Sequence, residues 1–226
     1  NIAEQFLKTK YKRVILITGG SKGIGRQLAM KLSNLGFKVI ICSRNREELS
    51  KVADDLEVDY YTCDISNRKM VNEMFEYISK KYNTLDILIN NAAISHKIEN
   101  IEEIDYNTLD SVIDINLKGS FYCSQEALKI MKVQGKGSII TIGSSGINGG
   151  RSGQSAYLCS KNALKTLTEC IALEGKSHNI FSYFVVPRRT NTDMRSKMYP
   201  LEDKTLLLDI NELVNNITFI ISENIP

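Results

Sequence analysis

RVILITGGSKGIGRQLAMKLSNLG, residues 13–36, decides how this chain folds. Arg13 to Thr18 is a short apolar run rich in β-branched residues, the pattern of a strand buried on both faces. TGGSKGIG (Thr18–Gly25) follows without a break and gives way to RQLAMKLSNLG, whose apolar residues recur at helical spacing. A strand, a glycine turn and a helix start in that order make a cradle for an anion. Free N–H groups and the positive end of the helix dipole face the same point. The glycines Gly19, Gly23 and Gly25 follow G-x-x-x-G-x-G rather than the commoner G-x-G-x-x-G. Alone, that spacing also suits an ordinary tight turn, so the rest of the chain has to decide.

The alternation continues almost to the end. Strands are expected at Lys38–Asn45, Asp59–Ser66, Leu85–Ile94, Gly137–Ser145 and Ile180–Pro187. Amphipathic helices lie between them: NREELSKVADDL, then NRKMVNEMFEYISKKY with Met70, Met74, Phe75 and Ile78 on its inner stripe. A long helix over Thr108–Met131 and another over Ser155–Gly175 complete the set. Strictly alternating strands and helices imply an α/β, doubly wound parallel sheet with helices on both faces, three layers in all. The whole of 1–226 reads as one domain, with 1–12 a polar lead-in. In such sheets ligands sit beyond the carboxyl ends of the strands. Gly19, Arg44, Asp64, Asn90, Ser144 and Pro187 all fall at those ends.

The stretch SSGINGGRSGQSAYLCSK, Ser144–Lys161, holds the candidate chemistry. Tyr157 and Lys161 are four apart and share one helix face, and Ser144 lies thirteen residues upstream across a glycine-rich turn. A free phenol titrates near pH ~10, too high for efficient proton transfer, and a neighbouring ammonium lowers that value. A hydroxyl opposite can bond the oxygen of a carbonyl or alcohol. The motif is not unique: Tyr77 and Lys81 repeat the spacing, but Asp64 stands where the serine would be, and that pair reads as surface decoration.

Composition narrows the field. The net charge of +3 is too small to argue for nucleic acid, and no basic-aromatic interleaving is present. No apolar run reaches the ~18 residues of a membrane span, and the N-terminus has no signal-peptide core. Cys42, Cys63, Cys123, Cys159 and Cys170 are scattered, without C-x-x-C, so neither a metal site nor a disulfide framework is expected. Read as reduced core residues, they point to a cytoplasmic setting. A hydrolase triad lacks its G-x-S-x-G elbow.

The cofactor is read at the end of the second strand. A site for NAD places an acid there to hold the ribose 2′-hydroxyl. Here stand Ser43 and Arg44, with Lys22 in the glycine turn, and a guanidinium suits a 2′-phosphate. NADP(H) is therefore the expected cofactor.

TGGSKGIG at 18–25, CD at 63–64, NNAA at 90–93, Asn116 in INLKG, Ser144 in IGSS and Tyr157-x-x-x-Lys161, in that order, resemble the short-chain dehydrogenase/reductase family in its compact branch. The likeness runs from about Lys12 to Met194 and looks closest to the 3-oxoacyl-[acyl-carrier-protein] reductases, enzymes of fatty acid biosynthesis. It implies a seven-stranded Rossmann-type sheet, usually in a homotetramer or dimer. It implies that Tyr157 gives the proton in reduction, that Lys161 depresses the phenol's pKa and bonds the nicotinamide ribose, and that Ser144 positions the substrate oxygen. Asn116 would hold a water linking Lys161 to solvent. Gly19, Ser21, Lys22, Gly23, Ile24 and Gly25, then Ser43, Arg44, Asp64, Ile65, Asn90, Ala92, Tyr157, Lys161, Pro187 and Thr192, would surround the dinucleotide. Asn90 would also support the glycine turn.

Three positions depart from the family pattern. Ala93 replaces a glycine, Arg188 replaces the glycine after Pro187, and the sequence stops at Pro226 soon after the match to the last helix, Glu212–Ser222, so the seventh strand is either cut off or absent. A substrate lid is expected at about 193–211. Near it Arg188, Arg189, Arg195 and Lys197 form a basic cluster, which reads either as a solvated charge run or as a site for an acidic carrier protein or phosphorylated substrate. The leading expectation is an NADP(H)-dependent oxidoreductase reducing a ketone or 3-oxoacyl group on a small or carrier-bound substrate. A dehydrogenase of a hydroxysteroid, polyol or sugar, and a non-catalytic dinucleotide sensor, are the alternatives.

Overall fold

The computed structural model describes residues 13–223; the predicted lead-in, 1–12, lies outside them. Six parallel strands form one sheet: β1 (Val14–Thr18), β2 (Lys38–Ser43), β3 (Asp59–Thr62), β4 (Ile87–Asn90), β5 (Gly137–Ile142) and β6 (Ile180–Val185). Their spatial order is β3-β2-β1-β4-β5-β6. The chain builds outward from β1 to β3, then crosses back to β4 on the other side of β1. That reversal opens a crevice between the carboxyl ends of β1 and β4. Among the described residues there is no seventh strand.

Every residue of β1 is buried, and its side chains alternate between two cores. Leu16 joins Ile40, Leu88 and Ile139 on one face, against Met74, Phe75, Ile78, Cys123 and Met131. Ile15 and Ile17 join Ile41, Ile89 and Ile140 on the other, against Leu28, Leu32, Leu213, Ile217 and Ile221. Burial on both faces is why the strand reads as an unbroken apolar run. Each such side chain contributes roughly 1.5–3 kcal/mol of transfer free energy.

The first face is covered by α3 (Arg68–Tyr82), α5 (Ser120–Gln134) and α6 (Ser155–Gly175); the second by α1 (Gly23–Asn34), α2 (Arg46–Leu56) and α8 (Ile210–Ser222). Two shorter helices, α4 (Tyr106–Ile113) and α7 (Asp193–Met198), complete the set among the described residues. Of the predicted inner stripe of α3, Met70 is only partly buried, and Val71 takes the buried place. The single long helix expected over 108–131 is broken in its hydrogen-bond pattern: α4 passes into a π-helical segment, Asp114–Gly119, before α5 begins. Side-chain periodicity does not announce one inserted residue per turn. Three cysteines are buried as expected, but Cys159 and Cys170 are exposed, both on α6. Among the described residues no helix is long and apolar enough to cross a membrane.

The glycine turn is held by close backbone approach. A Cβ on Gly25 would lie 2.4 Å from the Gly19 carbonyl oxygen and 2.6 Å from the Asn91 amide nitrogen. At Gly23, where φ is +50°, a Cβ would meet nothing within 4 Å, so the cost there is conformational alone, about 1–2 kcal/mol. Gly25→Ala should therefore lower Tm more than Gly23→Ala, by several degrees at about 2–4 °C per kcal/mol. Thermal melts showing equal losses would contradict this packing.

Candidate active site

The site begins where β1 meets α1. Lys22 precedes the first helical residue in extended backbone and makes no side-chain cap bond, so the first-turn N–H groups of α1 point outward unclaimed by a capping side chain. The turn is anchored from below, since the Gly19 and Gly20 N–H groups both donate to the Cys42 carbonyl, at 2.8 and 3.2 Å. It is anchored from the side by the residues just past β4. The Asn91 amide donates to the carbonyls of Thr18 (2.8 Å) and Gly19 (3.1 Å), and the Thr18 hydroxyl accepts from the Asn91 and Ala92 N–H groups, each at 3.0 Å.

That corrects one expectation. Asn90, predicted to support the turn, is buried and donates to the Ser124 hydroxyl at 2.9 Å on α5 instead. Successive strand residues face opposite ways, so two adjacent asparagines cannot both reach the turn. The sequence offered NN without saying which of the two faces it.

A cleft of about 650 Å³ opens above the strand ends. Of the predicted residues, Gly19, Ser21, Lys22, Gly23, Ile24, Ser43, Arg44, Asp64, Ile65, Ala92, Ser144, Tyr157, Lys161, Pro187 and Thr192 line it; Gly25, Asn90 and Asn116 do not. At the β2 end Arg44 is exposed and meets no carboxylate among the described residues, whereas Lys22 pairs with Glu48 at 2.9 Å. Asp64 folds back on Ser66, accepting from its N–H at 3.0 Å and its hydroxyl at 2.7 Å.

Ser144 stands just past β5, and its hydroxyl accepts from the Gly146 N–H at 3.3 Å. Tyr157 sits in the first turn of α6, within hydrogen-bonding influence of Ser144. Burial pushes the phenol's pKa up; Ser144 and the charges of Arg151 and Arg195 pull against that rise. Lys161 is buried, its ammonium donates to the Ile142 carbonyl at 2.8 Å, and it lies 6.0 Å from the centre of the Tyr157 ring. Desolvation lowers its pKa to about 8. The expectation that Lys161 lowers the phenol's pKa thus meets a different balance in the chain by itself. Burial of the phenol dominates, and the opposing pull comes from Ser144 and two arginines.

Asn116 is fully buried in the π segment. Its carbonyl oxygen accepts from the Ile94 N–H at 2.8 Å, and its amide donates to the Ile94 carbonyl at 2.9 Å and the Ser160 hydroxyl at 3.0 Å. Ser160 in turn donates to the Tyr157 carbonyl at 2.6 Å. This side chain thus commits both of its amide hydrogens to the protein. It clamps the loop after β4 to the helix turn that carries Tyr157. Ser160 is invisible to sequence reasoning, because a serine inside a helix carries no signal of its own.

The excursion after β6 returns at Leu208, which bridges to Thr190 and donates its N–H to the Arg189 carbonyl at 2.7 Å. Inside it Thr192 caps α7, accepting from the Arg195 N–H at 3.2 Å. The Arg195 guanidinium grips Glu202 with two bonds of 2.6 Å and lies 3.9 Å over the Tyr199 ring, and the Tyr199 hydroxyl accepts from the buried Gln154 amide at 2.7 Å.

A sheet with its switch point over an anion cradle, and Ser, Tyr and Lys gathered in the same cleft, agrees with what comparison with known proteins finds. The profile described as short chain dehydrogenase matches residues 13–203. This chain belongs to that family. Among its curated relatives, a 3-oxoacyl-[acyl-carrier-protein] reductase of Rickettsia prowazekii is 39% identical over 81% of this chain and 75% of its own length. A 3beta-hydroxysteroid dehydrogenase of Mediterraneibacter gnavus is 31% identical over 82% of this chain and 69% of its own. A crystal structure of a 3-ketoacyl-(acyl-carrier-protein) reductase from Brucella melitensis, complexed with NADH, superposes with a TM-score of 0.87 at 25% identity, over 92% of this chain and 90% of that one. As a short chain dehydrogenase, this protein is an oxidoreductase with a Rossmann-type fold.

The buried lysine of this short chain dehydrogenase makes a testable mark on stability. In the native state its ammonium loses its proton near pH 8, against 10.5 in the reference state. Between those values the unfolded chain holds more protons, so the Lys161 contribution rises with pH. The buried thiols Cys42, Cys63 and Cys123 are shifted upward and act in the opposite sense above their ordinary range near ~8.5. The difference between the parent and Lys161→Met isolates the lysine. Urea unfolding from about pH 7.5 to 10 should show the parent gaining on the variant by up to about 3 kcal/mol. A pH-independent difference would rule out the buried-ammonium assignment.

Proposed function

We propose that this protein reduces a ketone or 3-oxoacyl group to an alcohol with NADPH, Tyr157 supplying the proton. The observation that carries the reading is the convergence of Ser144, Tyr157 and Lys161 on a cleft that the glycine turn also lines. The residues present fit a dinucleotide. The turn opens onto the cleft at Gly23, and the α1 N-terminus offers N–H groups with no side-chain cap. Arg44 favours the 2′-phosphate form, because a guanidinium that meets no carboxylate among the described residues matches that anion.

The dinucleotide supplies the hydride; the chain supplies placement and a proton. Ser144 donates a hydrogen bond to the substrate oxygen. The Tyr157 phenol, kept protonated by burial, hands its proton to that oxygen as charge develops there. The Lys161 ammonium lies below the ring and stabilises the resulting phenolate. Asn116 acts as a positioning residue through Ser160 and the Tyr157 carbonyl.

The relative named as a 3beta-hydroxysteroid dehydrogenase favours a second reading, oxidation of a secondary alcohol with the same groups run in reverse. A panel of ketones, 3-oxoacyl thioesters and sterols, followed by nicotinamide absorbance, separates the two. Tyr157→Phe should cut kcat by about a hundredfold or more while NADPH still binds; retained turnover would remove the phenol from the reaction. Arg44→Asp should raise the KM for NADPH at least about tenfold, equivalent to ~1.4 kcal/mol, and leave NADH less affected. An unchanged KM would sink the cofactor assignment.

A further inference from the structure

The basic cluster expected near the lid is rearranged in the fold. Arg195 is held by Glu202, and Arg189 lies 3.7 Å from the same carboxylate. Lys22 is held by Glu48. Another cation stands beside the phenol: Arg151, in the turn between Ser144 and α6. One of its terminal nitrogens donates to the Ser145 hydroxyl at 3.2 Å, and its Nε would lie 3.5 Å from a Cβ on Gly146. The guanidinium is thus laid along the turn that carries Ser144, and it lines the cleft with Ser144 and Tyr157. Its charge is felt by both Tyr157 and Glu202, but among the described residues no carboxylate pairs with it.

A guanidinium has five N–H donors, and one of them is used here among the described residues. Arg151 is half-buried, so an anion meeting its remaining N–H groups in the cleft is screened less than one at an open surface. Asp193, which also lines the cleft, is exposed at the start of α7, and the Glu202 carboxylate is already claimed by Arg195. Arg188 lines the cleft too, but it is exposed beyond β6.

We propose that Arg151 receives an anionic group of the substrate, a carboxylate or phosphate a few atoms from the reacting carbonyl. The preferred substrate is then a keto acid or a phosphorylated ketone rather than a neutral ketone or thioester. This deepens the reductase reading and rests on it, because Ser144 and Tyr157 fix where the carbonyl lies relative to Arg151.

The test is calorimetric binding to the NADP⁺-saturated protein, where no hydride can move to a ketone. Acetoacetate should bind at least about tenfold tighter than its methyl ester, and Arg151→Met should abolish that ratio while Arg151→Lys restores part of it. Dihydroxyacetone phosphate against dihydroxyacetone forms the second pair and tells phosphate from carboxylate. Equal binding of acid and neutral partner in both pairs, or a ratio that survives Arg151→Met, overturns the proposal. A ratio that depends on Arg151 in a protein that reduces none of these ketones with NADPH would uphold the anion site and reject the reductase reading.

Discussion

The structure depends on how the ends of β1 and β4 are stitched together. At a switch point the neighbouring crossovers leave in opposite directions, and nothing in the sheet ladder closes the gap. Here the Asn91 amide and the Thr18 hydroxyl span it with four short bonds, and Gly25 lets α1 press against the Gly19 carbonyl. Those contacts fix the mouth of the anion cradle. They also spend the polar groups of the strand ends on each other, so the α1 N-terminus remains for a ligand.

The second constraint is desolvation. Tyr157 and Lys161 lie in the same protein-walled corner, and burial moves both toward their neutral forms: the phenol up, the ammonium down. A protonated phenol is what a proton donor needs before reaction. The lysine is kept in place by a backbone carbonyl rather than by a carboxylate, so its charge is not cancelled and stays available to a developing phenolate. Asn116 and Ser160 hold the other side of the same helix turn, through a segment wound one residue looser than an α-helix.

The charge pattern of the cleft follows from the same geometry. The lid leaves and returns at one point, the Thr190–Leu208 bridge, and brings Arg195 and Glu202 together across a short span. That pair, with Tyr199 bonded to Gln154, ties the lid to the turn before α6. Two cations that looked free in the sequence are thereby engaged by one carboxylate, while Arg151, unremarkable among glycines and serines, is left facing the site.

By itself the sequence determined the strands, the layer order and the glycine turn, because apolar runs, helical spacing and residues without a Cβ act within a few positions of themselves. It determined as well that Ser144, Tyr157 and Lys161 would meet, since one turn and one helix carry all three. Only the tertiary structure decided between Asn90 and Asn91, since strand pleat and neighbouring helices set which amide faces the turn. Only it revealed the π segment that sends Asn116 to Ile94 and Ser160, the burial that governs the phenol, and which arginines Glu202 engages. Most of those outcomes depend on contacts between residues dozens of positions apart, and local spacing carries no record of them.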